Sequence, residues 1–157
     1  MFVGRYDSPL GGIKIVSDGC FITEVAFDET CQQGQDCPAI DAAKKWLDEY
    51  FDCKVPTQKV QLKTEGTPFQ KSVWQLLEKL DYGQSITYGQ LAEALAKQSG
   101  IKKMSARAVG RAVGANKIAI MIPCHRVLGA GGKLTGYAGG LDKKIGLLNI
   151  EMIKYKN

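Results

Sequence analysis

Hydrophobic and polar residues alternate over short stretches in the first 66 residues, which is the pattern of β-strands with one buried face. Strands separated by turn residues are predicted at 2–6, 13–16, 21–27 and 60–62. Between the last two strands, apolar side chains recur at helical spacing from Asp41 to Phe51, which predicts one amphipathic helix. Residues 1–66 are therefore predicted to form a small α/β domain with antiparallel strands.

From Thr67 onward the hydrophobic pattern takes the period of an α-helix, so residues 67–157 are predicted to form a second, mostly helical domain. Thr67 followed by Pro68 is typical of a helix start, and Thr87 with Gln90 is the capping-box pattern of another helix. A last helix is predicted from an apolar stripe at Leu141, Ile145, Leu148 and Met152. The fold class predicted for the whole chain is α+β.

A further capped helix after a polar break gives the outline of a helix-turn-helix in a winged-helix-like domain. Ser105 caps a helix of small residues, Ala106–Gly114, in which Arg107 and Arg111 lie four residues apart on one face. A smooth face with two arginines suits contact with a phosphate backbone better than the reading of base edges. A tightly packed helix pair with small residues at the contact is the alternative interpretation.

Composition and charge narrow the possible classes of protein. The 157 residues are 45% hydrophobic and 24% charged, which excludes disordered, collagen-like and coiled-coil chains. The net charge of +5 divides into −4 over residues 1–66 and +9 over residues 67–157. The basic second half favours a polyanionic partner such as nucleic acid, although a solvated basic surface has the same composition. No apolar run approaches the ~20 residues of a membrane span.

The five cysteines form neither a Cys-x-x-Cys pair nor an even framework. The N-terminus lacks the basic and apolar segments of a signal peptide, so we expect a cytoplasmic protein with reduced thiols. We expect no structural metal, because no histidine lies at zinc-binding spacing from the four cysteines of the first half, Cys20, Cys31, Cys37 and Cys53.

Candidate chemistry lies where the one histidine, His125, directly follows a cysteine, Cys124. The apolar residues 118–122 just before this pair are predicted to form a buried strand. A thiolate is a strong nucleophile, and a neighbouring base or positive charge promotes its formation near neutral pH. A structural cysteine beside a core histidine is the alternative interpretation. The glycine-rich segment 129–140 that follows suits close contact with a flat ligand.

The segment Pro-Cys-His-Arg-Val at 123–127 is followed at close spacing by Gly-Tyr-Ala-Gly-Gly at 136–140. Two further segments are Thr-Tyr-Gly-Gln-Leu-Ala at 87–92 and Ala-Arg-Ala-Val-Gly at 106–110. With these four segments the chain resembles the O6-alkylguanine-DNA alkyltransferases, the methylated-DNA–protein-cysteine methyltransferases. The resemblance is loose over residues 1–66, where the family has a ribonuclease-H-like domain. It implies direct, irreversible, single-turnover transfer of an alkyl group from O6-alkylguanine to the protein's own cysteine, with O4-alkylthymine as a further candidate substrate.

The resemblance also implies a catalytic role for five residues. Cys124 resembles the nucleophile that takes the alkyl group, and His125 the base that acts on the thiol through a water. Glu151 is similar to the carboxylate that orients this histidine. Asn116 resembles the residue that braces the turn around the active site, and Tyr88 the donor to N3 of the departing guanine.

Binding residues are implied in the same way. The backbone of Val127, with that of Cys124, holds the other edge of the guanine, and Tyr137, Ala138 and Lys144 belong to a loop that closes over the lesion. Arg107 enters the duplex through the minor groove and fills the gap left by the flipped base. The other implied DNA contacts are Thr87, Ala106, Ala108, Gly110 and Arg111. No cofactor is implied, because the lesion itself supplies the alkyl group, and a monomer acting on double-stranded DNA is expected.

Two alternatives to the transferase remain at this stage. A non-catalytic DNA-binding protein that senses alkyl lesions on the same scaffold is disfavoured by the presence of Cys124, His125 and Glu151. A cysteine hydrolase needs repeated turnover and leaves the basic helix-turn-helix pattern without a role. The chain departs from the family in a longer connection at 97–105 and in Lys117, where proline is usual.

Overall fold

The computed structural model describes residues 1–157 and confirms the α+β class, with one three-stranded antiparallel sheet and a second region made mostly of helices. The chain divides into two units, each with its own packed interior. The first unit comprises Met1–Thr64 and Lys117–Ala119, and the second comprises Glu65–Asn116 and Ile120–Asn157. Residues 117–119 thus group with the first unit, whereas the sequence pattern predicts two continuous ranges. No helix has the length and apolar character needed to cross a membrane.

The first unit is a meander of three strands covered by one helix. Its strands run antiparallel in the order β1 (Phe2–Ser8), β2 (Gly11–Ser17) and β3 (Ile22–Phe27), and α1 spans Pro38–Phe51. The core residues with no exposed surface are hydrophobic side chains of the sheet and of α1: Ile13, Ile15, Ile22, Ile40, Ala43, Leu47 and Tyr50. The strand expected at 60–62 is reduced to a single parallel bridge between Leu62 and Ile22.

The apolar segment 118–122 is not the strand that the sequence predicts. Ile118 forms one parallel bridge with Val25, in which Val25 N donates to Lys117 O and Ala119 N donates to Val25 O, both at 2.9 Å. Ile120 then adopts a left-handed φ of 70°, which turns the chain and ends the pairing. The hydrophobicity of this segment reflects burial in a turn, because Ile118, Ile120 and Ile122 are all buried.

The second unit is built from four helices and a short two-stranded sheet. The helices are α2 (Pro68–Glu78), α3 (Tyr88–Ser99), α4 (Ala106–Gly114) and α5 (Leu141–Ile150). The sheet pairs β4 (Ile86–Thr87) with β5 (Val127–Leu128) in parallel, and two 3₁₀ turns span Cys124–Arg126 and Ala130–Gly132. Pairing of β4 with β5 brings the start of α3 beside the segment that follows Cys124.

The starts of three helices confirm the predicted caps. The side chains of Thr67 and Thr87 each accept from the backbone N–H of the glutamine three residues later. The side-chain oxygen of that glutamine accepts from the backbone N–H of the threonine, which completes a capping box. The Ser105 side chain accepts from Ala108 N. Such caps satisfy donors at helix starts and fix where each helix begins.

The buried face of α5 differs from the predicted stripe. The stripe ran through Leu141 and Met152, but these side chains are 46% and 87% exposed. The helix ends at Ile150 and Met152 has a φ of 56°, so the helical period does not reach that residue. Leu148 is buried as predicted, and it packs inward together with Lys144 and Leu147, which lie outside the predicted stripe.

Candidate active site

Cys124 lies at the wall of a cavity of about 350 Å³ in the second unit. The thiol residue begins a 3₁₀ turn after Pro123, and its exposed fraction is 8%. The predicted site residues that line the same cavity are Tyr88, Gly110, Asn116, Cys124, Tyr137 and Ala138. A cavity of this size lies in the range of sites that enclose a small ligand.

Opposing influences set the acidity of the Cys124 thiol. Burial raises its pKa, since a thiolate loses solvation in the interior. The side chain of Asn116, the positive charge of Lys144 and the hydroxyl of Tyr137 act against burial and lower the pKa. Asn116 also donates from Nδ2 to Ile122 O at 2.9 Å, which holds the turn that leads into Cys124.

A buried ionic cluster stands directly behind Cys124. Glu151 Oε2 lies 2.5 Å from His125 Nε2, and Glu151 Oε1 accepts from Arg126 Nε at 2.7 Å and from Gly83 N at 2.9 Å. Arg126 Nη1 donates further to Leu80 O at 2.9 Å. Three donors on one buried carboxylate compensate its lost solvation and leave it little freedom to move.

This cluster determines the chemistry of His125. Burial lowers the pKa of the imidazole, with Arg126 and Lys144 acting in the same direction and Glu151 opposing them. The imidazole is therefore neutral near pH 7. A carboxylate accepts but cannot donate, so Nε2 carries the hydrogen toward Glu151 and Nδ1 is the basic nitrogen.

Lys144 is a buried cation on α5, which corrects its predicted place in the loop over the lesion. Its Nζ donates to Val127 O at 2.7 Å, to Thr135 Oγ1 at 3.0 Å and to Gly136 O at 3.4 Å. Burial lowers the pKa of this ammonium to about 8. Lys144 thus ties the segment after Cys124 to the loop that carries Tyr137.

Tyr88 stands at the first position of α3 and lines the cavity together with residues of the glycine-rich loop. Its Oη lies 3.4 Å from Thr135 Oγ1. Its ring faces Gly110 of α4, where an added Cβ would stand 3.7 Å from the ring carbons. The glycine therefore keeps this wall of the cavity free of side-chain atoms.

The outer face of α4 carries the predicted DNA-contacting residues. Ala106, Arg107 and Arg111 are exposed, and Ala108 and Gly110 are half-buried. The opposite face packs inward through Val109, Ala112 and Val113, and Trp74 Nε1 on α2 donates to Ala112 O at 2.9 Å. Arg107 and Arg111 thus lie outside the cavity, on the helix whose Gly110 lines it.

The remaining predicted residues stand close behind the cavity or at its edge. Val127 is buried and offers its carbonyl to Lys144, while Thr87 is the half-buried cap of α3. A larger cavity of about 860 Å³ lies between α3 and the connection at 101–105, but it contains none of the candidate catalytic residues. We assign the chemistry to the smaller cavity because the thiol is there.

Three residues of the site were missed by sequence reasoning. Arg126 lies within the segment 123–127 and Gly83 lies four residues before the segment 87–92, but only the fold shows that both bind Glu151. Thr135 carried no signal, since its importance comes from contacts with Lys144 and Tyr88.

Comparison with known proteins agrees with this geometry. The profile of the family described as "6-O-methylguanine DNA methyltransferase, DNA binding domain" matches residues 68–153. The methylated-DNA–protein-cysteine methyltransferase of Haemophilus influenzae is 39% identical, over 99% of this chain and 88% of that protein. The protein of the same name from Methanosarcina acetivorans is 40% identical, over 96% of this chain and 98% of its own length.

Solved structures give the same result. The crystal structure of Mycobacterium tuberculosis O6-methylguanine methyltransferase has a TM-score of 0.81 at 38% identity. A crystal structure of Mycobacterium tuberculosis OGT in complex with DNA has a TM-score of 0.83 at 39% identity. Each comparison covers 96% of this chain and 92% of the other. Sequence and fold together show that the chain belongs to the methylated-DNA–protein-cysteine methyltransferase family.

Proposed function

We propose that this chain repairs O6-alkylguanine in double-stranded DNA by moving the alkyl group irreversibly to Cys124. The observation that carries the proposal is the buried thiol at a cavity wall, backed by the His125–Glu151–Arg126 cluster. Residues 67–157 are the part to which we assign both DNA binding and catalysis. A cytoplasmic location fits the five free cysteines, which persist in a reducing compartment, and we expect the chain to act as a monomer.

Formation of the thiolate is the first requirement of the reaction. His125 accepts the thiol proton at Nδ1 through one water, while Glu151 keeps Nε2 protonated and the ring oriented. The Asn116 amide and the Lys144 ammonium favour the thiolate once it forms. This support is needed because burial alone favours the neutral thiol.

Transfer then exchanges one bond for another. The S–C bond forms as the bond from the alkyl carbon to O6 breaks, and O6 keeps the electron pair. The restored guanine takes up one proton, which balances the proton that the thiol gave to His125. Tyr88 donates to N3 of the leaving base and stabilises its developing charge. Backbone groups of Cys124 and Val127 hold the other edge of the base, and Tyr137 and Ala138 close the cavity.

Access to the lesion requires base flipping, because O6 is out of reach of Cys124 inside a stacked duplex. The exposed face of α4 suits the minor groove, since small residues let the helix approach the backbone closely. Arg107 occupies the space of the flipped base, and Arg111 contacts a phosphate. Thr87, Ala106, Ala108 and Gly110 complete this surface at the mouth of the cavity.

The product determines how often the protein acts. A thioether is stable, and no group at the site is able to cleave it, so each molecule reacts once. The alkyl donor is the lesion, so the reaction has no need of a cofactor.

A stoichiometry measurement tests the proposal. The chain is mixed with a duplex carrying one O6-methylguanine, at several protein-to-DNA ratios, and repaired guanine is counted after completion. The expected result is at most one repaired base per protein molecule. Repeated turnover with release of methanol indicates a hydrolase, and tight binding with no repair indicates a lesion sensor. Either of those results overturns the proposal.

A further inference from the structure

A line of polar groups runs from α5 to the cavity without touching the His125–Glu151 cluster. It begins at Lys144 Nζ, passes through Thr135 Oγ1 at 3.0 Å and reaches Tyr88 Oη 3.4 Å further on. Lys144 and Tyr88 have roles in the proposed reaction. Thr135, which joins them, has none so far.

The chemistry of its members fixes one direction in this line, and the second direction is part of the inference. An ammonium only donates, so Thr135 Oγ1 accepts from Lys144. Either oxygen of the Thr135–Tyr88 pair is able to donate, and we take Thr135 as the donor because only that direction leaves the phenolic hydrogen of Tyr88 for the cavity. With Oη accepting on that side, the phenolic hydrogen of Tyr88 is directed to the cavity that Tyr88 and Cys124 share. A donor that itself accepts from a chain ending in a cation is polarised and donates more strongly.

Packing fixes the hydroxyl of Thr135 in this place. A Cβ at Gly129 would stand 3.0 Å from the Thr135 methyl carbon and 3.3 Å from Lys133 O. The Thr135 methyl group therefore rests against the backbone of Gly129, which leaves the hydroxyl on the side of Lys144 and Tyr88. The separation of 3.4 Å is long for a hydroxyl pair, and contacts of this kind shorten when substrate binds.

We propose that Thr135 is a positioning residue, which links the Lys144 ammonium to Tyr88 and holds the Tyr88 hydroxyl hydrogen toward N3 of the leaving guanine. This inference rests on the proposed function, in which Tyr88 donates to the base. No covalent bond in the line breaks: Lys144, Thr135 and Tyr88 keep their protons, and their hydrogen bonds shorten as charge develops on the guanine. The effect belongs to the transition state, so it changes the rate of transfer more than the affinity for DNA.

Two substitutions separate the hydroxyl from the methyl group. Thr135→Val keeps the shape and removes the hydroxyl, and Thr135→Ser keeps the hydroxyl and removes the methyl. We expect Thr135→Val to slow single-turnover methyl transfer from duplex DNA about 3- to 10-fold, the effect of one hydrogen bond. Thr135→Ser should transfer within about twofold of the wild-type rate. Thermal unfolding and affinity for undamaged duplex are measured for both variants.

A modified substrate distinguishes positioning from a structural role. In 3-deaza-O6-methylguanine the N3 acceptor is replaced by a C–H group, so the Tyr88 donor has no target. We expect Thr135→Val to match the wild-type rate on a duplex carrying this base. Equal slowing on the normal and the 3-deaza base would overturn the inference, as would a Thr135→Ser variant as slow as Thr135→Val.

The same experiment separates this inference from the proposed function. If the wild-type chain repairs O6-methylguanine once per molecule and Thr135→Val is equally fast, only the inference is wrong. If the wild-type chain transfers no methyl group, the proposed function fails and the inference fails with it.

Discussion

The interior behind Cys124 and the outer face of α4 place positive charge in opposite ways. Arg126 and Lys144 are buried, and their donors are bound to named acceptors: Glu151 and Leu80 for the first, Val127, Thr135 and Gly136 for the second. Arg107 and Arg111 are exposed on a helix of small residues. The interior charges hold one geometry, whereas the surface charges remain available to a partner.

This difference matches two separate tasks. Alkyl transfer needs groups held in place before the reaction, because motion at the moment of bond exchange costs rate. DNA binding needs charges that replace counterions along a phosphate backbone, and it tolerates mobile side chains. Substitutions in the two regions should therefore change different measurable quantities.

Glu151→Gln is expected to give the largest difference between the change in transfer rate and the change in DNA affinity. Glutamine carries no charge, and its one oxygen replaces only one of the two that bind His125 and Arg126, so methyl transfer should slow about 100-fold or more. Affinity for undamaged duplex should change less than about twofold. Single-turnover kinetics measure the rate of methyl transfer, and a binding titration measures the affinity for undamaged duplex.

The matched control for this variant is Glu93→Gln, which makes the same charge change at an exposed residue of α3 that lines the larger cavity. Breaking a buried ion pair costs about 3–5 kcal/mol, so kinetics are recorded well below the unfolding midpoint of each variant. Equal losses of binding and transfer in Glu151→Gln would show that Glu151 acts through the fold alone.

A smaller but more selective effect is expected for Arg107→Ala. Base flipping costs a few kcal/mol, so loss of the side chain that fills the gap should slow repair in duplex DNA about tenfold or more. Reaction with free O6-alkylguanine, which needs no flipping, should stay near the wild-type rate. Equal slowing on both substrates would move Arg107 from base extrusion to support of the active site.

Arg111→Ala serves as the comparison on the same face of α4. We expect it to weaken duplex binding and to lower the log–log slope of affinity against salt by about 0.9, the value for one phosphate contact. The rate of methyl transfer at saturating DNA should remain unchanged. A salt slope identical to that of the wild type would exclude Arg111 from phosphate contact.

The smallest expected effect concerns pH and stability. Burial lowers the pKa of His125, so below about pH 6.5 the unfolded chain binds a proton that the folded protein does not. Stability from this group is complete above that pH and is lost as pH falls toward the folded-state pKa. Each kcal/mol lost lowers the unfolding midpoint by about 2–4 °C.

The chain has one histidine, so a single variant tests whether His125 causes this loss of stability at low pH. Thermal unfolding of the wild type and of His125→Gln is followed between about pH 7.5 and 5.5, a window on either side of the ordinary histidine pKa. The wild type should lose stability relative to the variant as pH falls. Parallel curves would assign the loss to other groups.

The sequence predicted local features better than the contacts between distant segments. The capping box at Thr87 and the caps at Thr67 and Ser105 were predicted correctly, because they depend on residues three positions apart. The prediction of a strand at 118–122 was wrong. These residues form a buried turn with a left-handed Ile120, and a buried turn has the same run of hydrophobic residues as a buried strand. Lys144 was assigned to a loop on the family resemblance, although it falls within the predicted last helix, and nothing in the sequence indicates that this lysine is buried.

The site likewise contains residues that the sequence indicates and contacts that only the fold shows. Cys124 and His125 are visible as adjacent residues, and a family resemblance indicates Glu151 and Tyr88. The contacts of Arg126 with Glu151 and of Thr135 with Tyr88 span 25 and 47 positions of the chain. Only folding brings such pairs together, so no local pattern reports them.

The most direct test of the central claim is to locate the transferred methyl group. Folded protein is reacted with a duplex carrying O6-methylguanine, digested, and analysed by peptide mass spectrometry. We predict one methyl group on Cys124 and none on Cys20, Cys31, Cys37 or Cys53, because only Cys124 stands at the cavity with the His125–Glu151 cluster behind it. A methyl group on one of the other four cysteines, with Cys124 unmodified, would contradict the account.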